Sequence, residues 1–262
     1  MCRGGPEQHD GLVSMRTKRL PAALVLLSAV PIIAGAARLT TLAAPVTAEN
    51  ARFAAAPVPI VLHIVGATVF SLLGAFQFSP GLRRSSWHRR AGRITLPCGL
   101  IAALSGLWMT IAYPDAPGDG QLLATFRLVF GTLMVVSLVQ GYRAIRRRDL
   151  RAHRVWMIRG YAIGVAAGTQ VVVTLPWVVV FGQPGGTTRA LLLGAAWVIN
   201  LGIAEWAGRR SGQSAPHRRT RTRQSLVDGQ PRVSRMSARW AGRPSGRGRA
   251  VDDGPERAGS LG

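Results

Sequence analysis

The chain is short of acids. Its 262 residues hold 11 aspartates and glutamates against 33 basic residues, a formal net charge of +22. Lysine is nearly absent too, since Lys18 alone accompanies the arginines. Within 20–206 the acids are only Glu49, Asp115, Asp119, Asp149 and Glu205, which argues against a proton pump built on a relay of membrane carboxylates. Cysteine is limited to Cys2, in a polar leader, and Cys98, inside an apolar run. That excludes a disulfide framework and any zinc-ligand spacing, and Cys98 reads as a small packing residue. Aromatic residues make up 6%. The basic stretches lack the aromatic interleaving of a nucleic-acid surface beyond Trp240, so nucleic acid is not an expected partner. No serine–histidine–acid set, phosphate loop or carboxylate pair is readable, and no long soluble segment is left for a catalytic domain.

What is present is apolar length. Apolar residues make up 48% of the chain, and a soluble domain seldom combines that with so high a charge. The two excesses must therefore sit in different places. Six apolar segments, about 20–42, 58–78, 94–112, 122–142, 157–181 and 190–206, are long enough to cross a hydrocarbon core as helices. They show no two-residue alternation of the kind a membrane barrel needs, so helices are the way to satisfy the backbone in lipid. The expectation is an all-α polytopic transmembrane bundle of about six helices. Residues 1–19 form a cytoplasmic leader, 20–206 the bundle and 207–262 a disordered arginine-rich tail. Within the first segment the apolar run 20–37, with small residues after it, also has the shape of a signal-peptide core. Arg38 directly behind it, and acids in the leader, favour a retained helix.

Charge sets the orientation. One connection holds Arg83, Arg84, Arg89, Arg90 and Arg93; another holds Arg143, Arg146, Arg147, Arg148, Arg151 and Arg154, with Arg159 just beyond. The alternate connections are nearly free of basic residues. The positive-inside rule then puts both arginine connections and both termini in the cytoplasm of a cell (inner) membrane protein. Trp87 and Trp156 fall at the inner interface, Tyr113 and Trp177 at the outer one. The tail, with thirteen arginines in 208–262, cannot build a core. Its basic residues suit anionic lipid head groups.

The two arginine connections resemble each other. Gln77 precedes His88-Arg89 by eleven residues, and Gln140 precedes His153-Arg154 by thirteen. Each unit is helix, basic connection with His-Arg, helix, which suggests parallel repeats about an axis along the membrane normal. Arginine-rich inner connections also look alike for topogenic reasons alone.

The stretches LHIVGATVFSLLGAFQF, WHRRAGRI and AHRVWMIRGYA, within about residues 58–181, resemble a bacterial membrane family known as domain of unknown function 2306. The His-Arg-x-Trp-Met-x-Arg element is the most specific part of that likeness. The resemblance implies a multi-helix inner-membrane protein and brings no activity with it.

Candidate chemistry rests on histidine and arginine. His9 and His217 lie in polar ends. His63 is an ionisable residue inside an apolar run, on one face with Gly66, Phe70, Gly74 and Gln77. It reads either as a ligand above small residues or as a neutral imidazole bonded to a neighbouring helix. His88 and His153 stand at equivalent ends of two helices. If those helices are neighbours, two imidazoles at one depth suit axial ligation of a haem b iron. Arg89, Arg93, Arg154 and Arg159 would then pair the propionates. The same set suits lipid phosphate. Gly160, Gly164 and Gly168 form a small-residue series for close helix contact, and Asn200 is placed to bond across helices. Three function classes follow: a structural or lipid-contacting membrane protein, a haem-bearing electron-transfer protein, and a small-molecule transporter.

Overall fold

The computed structural model describes residues 6–47, 50–79, 81–82, 85–114 and 118–213. Among them are eight helices and no strand: α1 Pro6–Thr41, α2 Ala51–Ala55, α3 Pro57–Gln77, α4 Ser86–Ala112, α5 Gln121–Arg146, α6 Leu150–Gly164, α7 Ala166–Phe181 and α8 Gly186–Gln213. The tail expected at 207–262 lies outside the described residues from 214 onward.

Five helices are long and apolar enough to cross a membrane, and the α6–α7 pair makes a sixth if it is one bent span. The all-α membrane architecture expected from hydropathy is therefore what the chain forms. Its helices differ from the apolar runs at their ends, because the polar flanks stay helical. The apolar span of α1 is Leu20–Thr41, but the helix already starts at Pro6. α4 begins at Ser86, so His88, Arg89, Arg90 and Arg93 lie on its first turns. α5 runs on through Arg143 to Arg146.

The turn from α5 to α6 is consequently tight. Arg148 takes the left-handed conformation, φ 62°. It donates its N–H to the Ile145 carbonyl at 3.0 Å, and the Asp149 N–H reaches the Ala144 carbonyl at 3.0 Å. This is a helix C-terminus closed by an αL residue, a place where glycine is usual. Asp149 then caps α6 by accepting the Ala152 N–H at 2.9 Å.

The run expected as one helix over 157–181 is broken at Val165, and its two halves are bent by 43°. The weak helix formers Gly164 and Gly168 flank the break. Asn200 on α8 supports it from the side: its Nδ2 donates to the Ala162 carbonyl at 2.9 Å, and its Oδ1 accepts from Thr169 Oγ1 at 2.8 Å. An external amide that captures a carbonyl one turn before a bend is a recognised cause of kinks.

Four helices make a ring: α3 packs on α4, α4 on α5, α5 on α6, and α6 back on α3. α8 packs on α5, α6 and α7, while α1 packs on α3 and α7. The ring is filled by Phe70, Met134, Leu138, Tyr161 and Ile163, all buried. Phe70, 1% exposed, is the central piece. A methyl group on Gly99 of α4 would lie 2.5 Å from its Cδ2, and one on Gly164 of α6 would lie 2.5 Å from its Cε1. The ring of Phe70 thus fills the space left by two glycines on opposite helices.

The glycine series on the broken span serves three neighbours rather than one. Gly160 faces Leu138 and Ser137 of α5, Gly164 faces Phe70 of α3, and Gly168 meets the Leu27 backbone of α1. Small residues let helices approach where lipid gives no hydrophobic drive between them.

Candidate functional site

Consecutive helices of the ring run antiparallel, so the α3–α4 and α5–α6 connections share one end. Gln77 Nε2 reaches the His88 carbonyl at 3.4 Å and closes the first hairpin. His153 closes the second: its Nδ1–H donates to the Gly141 carbonyl at 2.8 Å. A carbonyl only accepts, so this bond assigns a proton to Nδ1.

α4 and α6, expected as neighbours if they were to share a macrocycle, stand across the ring from each other. The Gly99–Phe70–Gly164 contact links their registers. His88 is eleven residues before Gly99, and His153 is eleven before Gly164. At 1.5 Å per residue both lie about 16 Å from the Phe70 ring along their helices. Arg89 and Arg154 keep the same register. The two His-Arg pairs therefore occupy equal depths on opposite sides of the ring.

Arg89, Arg90, Arg93, Arg143, Arg147 and Arg151 are all exposed. Among the described residues, none of these six is in a salt bridge. The acids described at this end are otherwise engaged. Asp149 caps α6, and Glu205 of α8 is ion-paired with Arg159 Nε. Arg159 also stands over the Trp156 ring at 4.8 Å. It therefore joins α6 to α8 and is committed within the protein, unlike the six exposed arginines. Phe76 and Trp87 meet edge to face at 6.4 Å, bringing a second tryptophan to this end.

His63 is placed elsewhere. Its Nδ1–H donates to the Ala102 carbonyl of α4 at 2.8 Å, and its ring lies 3.2 Å from where a methyl on Gly106 would stand. It pins α3 to α4 toward the other end, away from His88 and His153. The rest of its face packs as well, with Gly66 against the Cys98 carbonyl and Gly74 against the Tyr161 ring.

That other end holds a feature the sequence reading did not single out. Asp119, whose side chain is 4% exposed, bridges Arg127 at 2.8 Å and Arg189 at 3.0 Å. Arg52 donates to the Pro114 carbonyl at 3.3 Å and lies over the Phe53 ring at 4.5 Å, with Arg38 over the same ring at 5.1 Å. Burial draws the Arg52 pKa below the ordinary arginine value. Asp119 opposes this, while Arg127, Arg38 and Arg189 add to it. These arginines are spread over the chain, one or two per connection, so nothing in local spacing shows that they meet.

Among the described residues no group of three or more histidine, cysteine or acidic side chains is arranged to hold a metal ion. Comparison with known proteins finds one family model, described as "Predicted membrane protein (DUF2306)", matching residues 60–207. No curated protein and no solved structure gives a significant match. The model covers more than half of the chain, and the protein belongs to this family.

Proposed function

We propose that this DUF2306 membrane protein is a lipid-contacting bundle whose arginine end, turned toward the cytoplasm, holds anionic phospholipid head groups. The observation that carries this reading is the set of exposed arginines at that end that have no carboxylate partner among the described residues. Arginine matches phosphate oxygens as a planar fork of donors. Near an anionic leaflet each contributes about 1 kcal/mol, within a Debye length of the surface. Trp87 and Trp156 lie at the same end, as interfacial anchors do. The test is native mass spectrometry of the protein released from membranes. It should retain phosphatidylglycerol or cardiolipin, and R89Q/R90Q/R93Q with R147Q/R151Q should lose most of it. Equal anionic lipid on parent and variant would remove the reading.

A second reading is a haem b site between His88 and His153. Their equal depth across the ring supports it. So does His153, whose Nδ1–H is held by a backbone carbonyl in the manner of metal-bound imidazoles. Arg89, Arg93 and Arg154 would face the propionates; Arg159, held by Glu205, is less suited to that role. The purified protein would show a Soret band that shifts on reduction, and H153A would abolish or alter it. A colourless protein that takes up no added haem would end this reading. The break at Val165 is the sort of helix interruption a transporter site uses, but Asn200 and Thr169 already satisfy each other there.

A further inference from the structure

The end of the bundle opposite the arginine connections gathers four arginines from four helices: Arg38 of α1, Arg52 of α2, Arg127 of α5 and Arg189 of α8. Among the described residues they face one carboxylate, Asp119. Glu49 and Asp115, in the same connections, lie outside the described residues. Asp119 Oδ2 accepts one Nη1–H of Arg127, while its Oδ1 is ion-paired with Arg189 Nη1 at 3.0 Å without a hydrogen bond. A guanidinium has five N–H donors, and these two side chains are 37% and 38% exposed. Most of their donors are therefore left over, on forks whose spacing a buried carboxylate fixes. Arg52 is tied to the Pro114 carbonyl, five residues before Asp119, and interacts electrostatically with Asp119, Arg127 and Arg189. The N-termini of α5 and α8 open at this end and add positive potential.

We propose that Arg52, Arg127 and Arg189 frame a binding site for a phosphate oxyanion. A planar carboxylate is filled by two forks, whereas a tetrahedral phosphate offers oxygens to three guanidiniums arriving from different directions. Depth agrees with this chemistry. α5 has 26 residues, about 39 Å of helix against a hydrocarbon core of about 30 Å. Its end therefore projects into the head-group layer, and Arg127 lies less than two turns in. The phosphate is that of a lipid head group or of a soluble phosphate species.

The test uses the full chain in neutral detergent and reads its thermal midpoint, which rises when a ligand binds the folded state. One arm adds sodium phosphate against sodium chloride of matched ionic strength. The other adds phosphatidylglycerol to the micelles. A saturating rise is expected in at least one arm: a rise with phosphatidylglycerol alone identifies the head group, and a rise with inorganic phosphate identifies a soluble ligand. R52Q should raise the half-saturating concentration roughly tenfold, as loss of a hydrogen bond to a charged group would. R189K, which keeps charge and loses the fork, should fall between parent and R52Q. Both arms are run in the R89Q/R90Q/R93Q, R147Q/R151Q background, which removes the phospholipid contact proposed at the arginine end, so the rise that remains reports this site. No rise in either arm overturns the proposal. So does a rise that R52Q, made in that background, leaves unchanged, which would assign the binding elsewhere. Among the described residues Arg52 has no carboxylate bond to lose, so R52Q decides the matter even if R189K does not fold.

Discussion

Replacing Gly164 by alanine tests the centre of the bundle through the sign of a stability change. Alanine is a better helix former than glycine by up to about 1 kcal/mol, so an unobstructed glycine in a helix should gain stability. Gly202 of α8, with nothing within 4 Å of an added methyl, is the control. At Gly164 the methyl would lie 2.5 Å from Phe70 Cε1 and 3.1 Å from Met134 Cε. The Phe70 ring has nowhere to retreat, because its other edge already fills the place of a Cβ on Gly99, with Cδ2 2.5 Å from that position. Overpacking of this kind costs about 1–3 kcal/mol. G164A should therefore lose stability and G202A should gain it. G99A should match G164A, since both press on one ring. F70L removes the ring and should relieve either alanine, giving a favourable coupling in a double-mutant cycle. Midpoints of denaturant unfolding in detergent would measure all of these. A G164A variant as stable as G202A, or a coupling of zero with F70L, would refute the four-helix ring and the register that sets His88 and His153 at one depth.

Other outcomes follow from single contacts. R148G should stabilise the protein by about 1 kcal/mol, since an L side chain at φ 62° is strained where glycine is not; a loss in the same unfolding assay would show that the Arg148 side chain matters more than its backbone. N200L removes the bonds to Ala162 and Thr169 and should cost about 0.6–1.7 kcal/mol, the range for hydrogen bonds between membrane helices; an unchanged midpoint would mean that the break at Val165 holds itself. Reporter fusions at Asp119 and Arg148 should read outside and inside respectively, and the same answer from both would sink the positive-inside orientation.

Hydropathy made most of the fold legible, because crossing lipid needs long uncharged helices and the arginines could only sit between them. Helix ends were not legible. The basic stretch at His88–Arg93 reads as a connection by charge, yet its residues form helix and continue α4. The break at Val165 was hidden as well, since its cause is Asn200, 35 residues further on. The pairing of His88 with His153 was visible as a repeated motif. Their equal depth needed the shared contact of Gly99 and Gly164 with Phe70. The bland alternative for His63, a bond to a neighbouring helix, is the contact it makes with Ala102. The Asp119 cluster was not legible because arginines on four separate helices carry no spacing signal; the packing of α5 on α8 brings Arg127 and Arg189 to one carboxylate.

Selection of anionic lipid by the exposed arginines at one end is read out by electron spin resonance of spin-labelled lipids around the reconstituted protein. Motionally restricted phosphatidylglycerol should exceed phosphatidylcholine at low salt. The excess should fall as salt is raised, and should collapse in R89Q/R90Q/R93Q with R147Q/R151Q. Equal restriction of both lipids at low salt, or a preference that the arginine changes leave in place, would contradict the account.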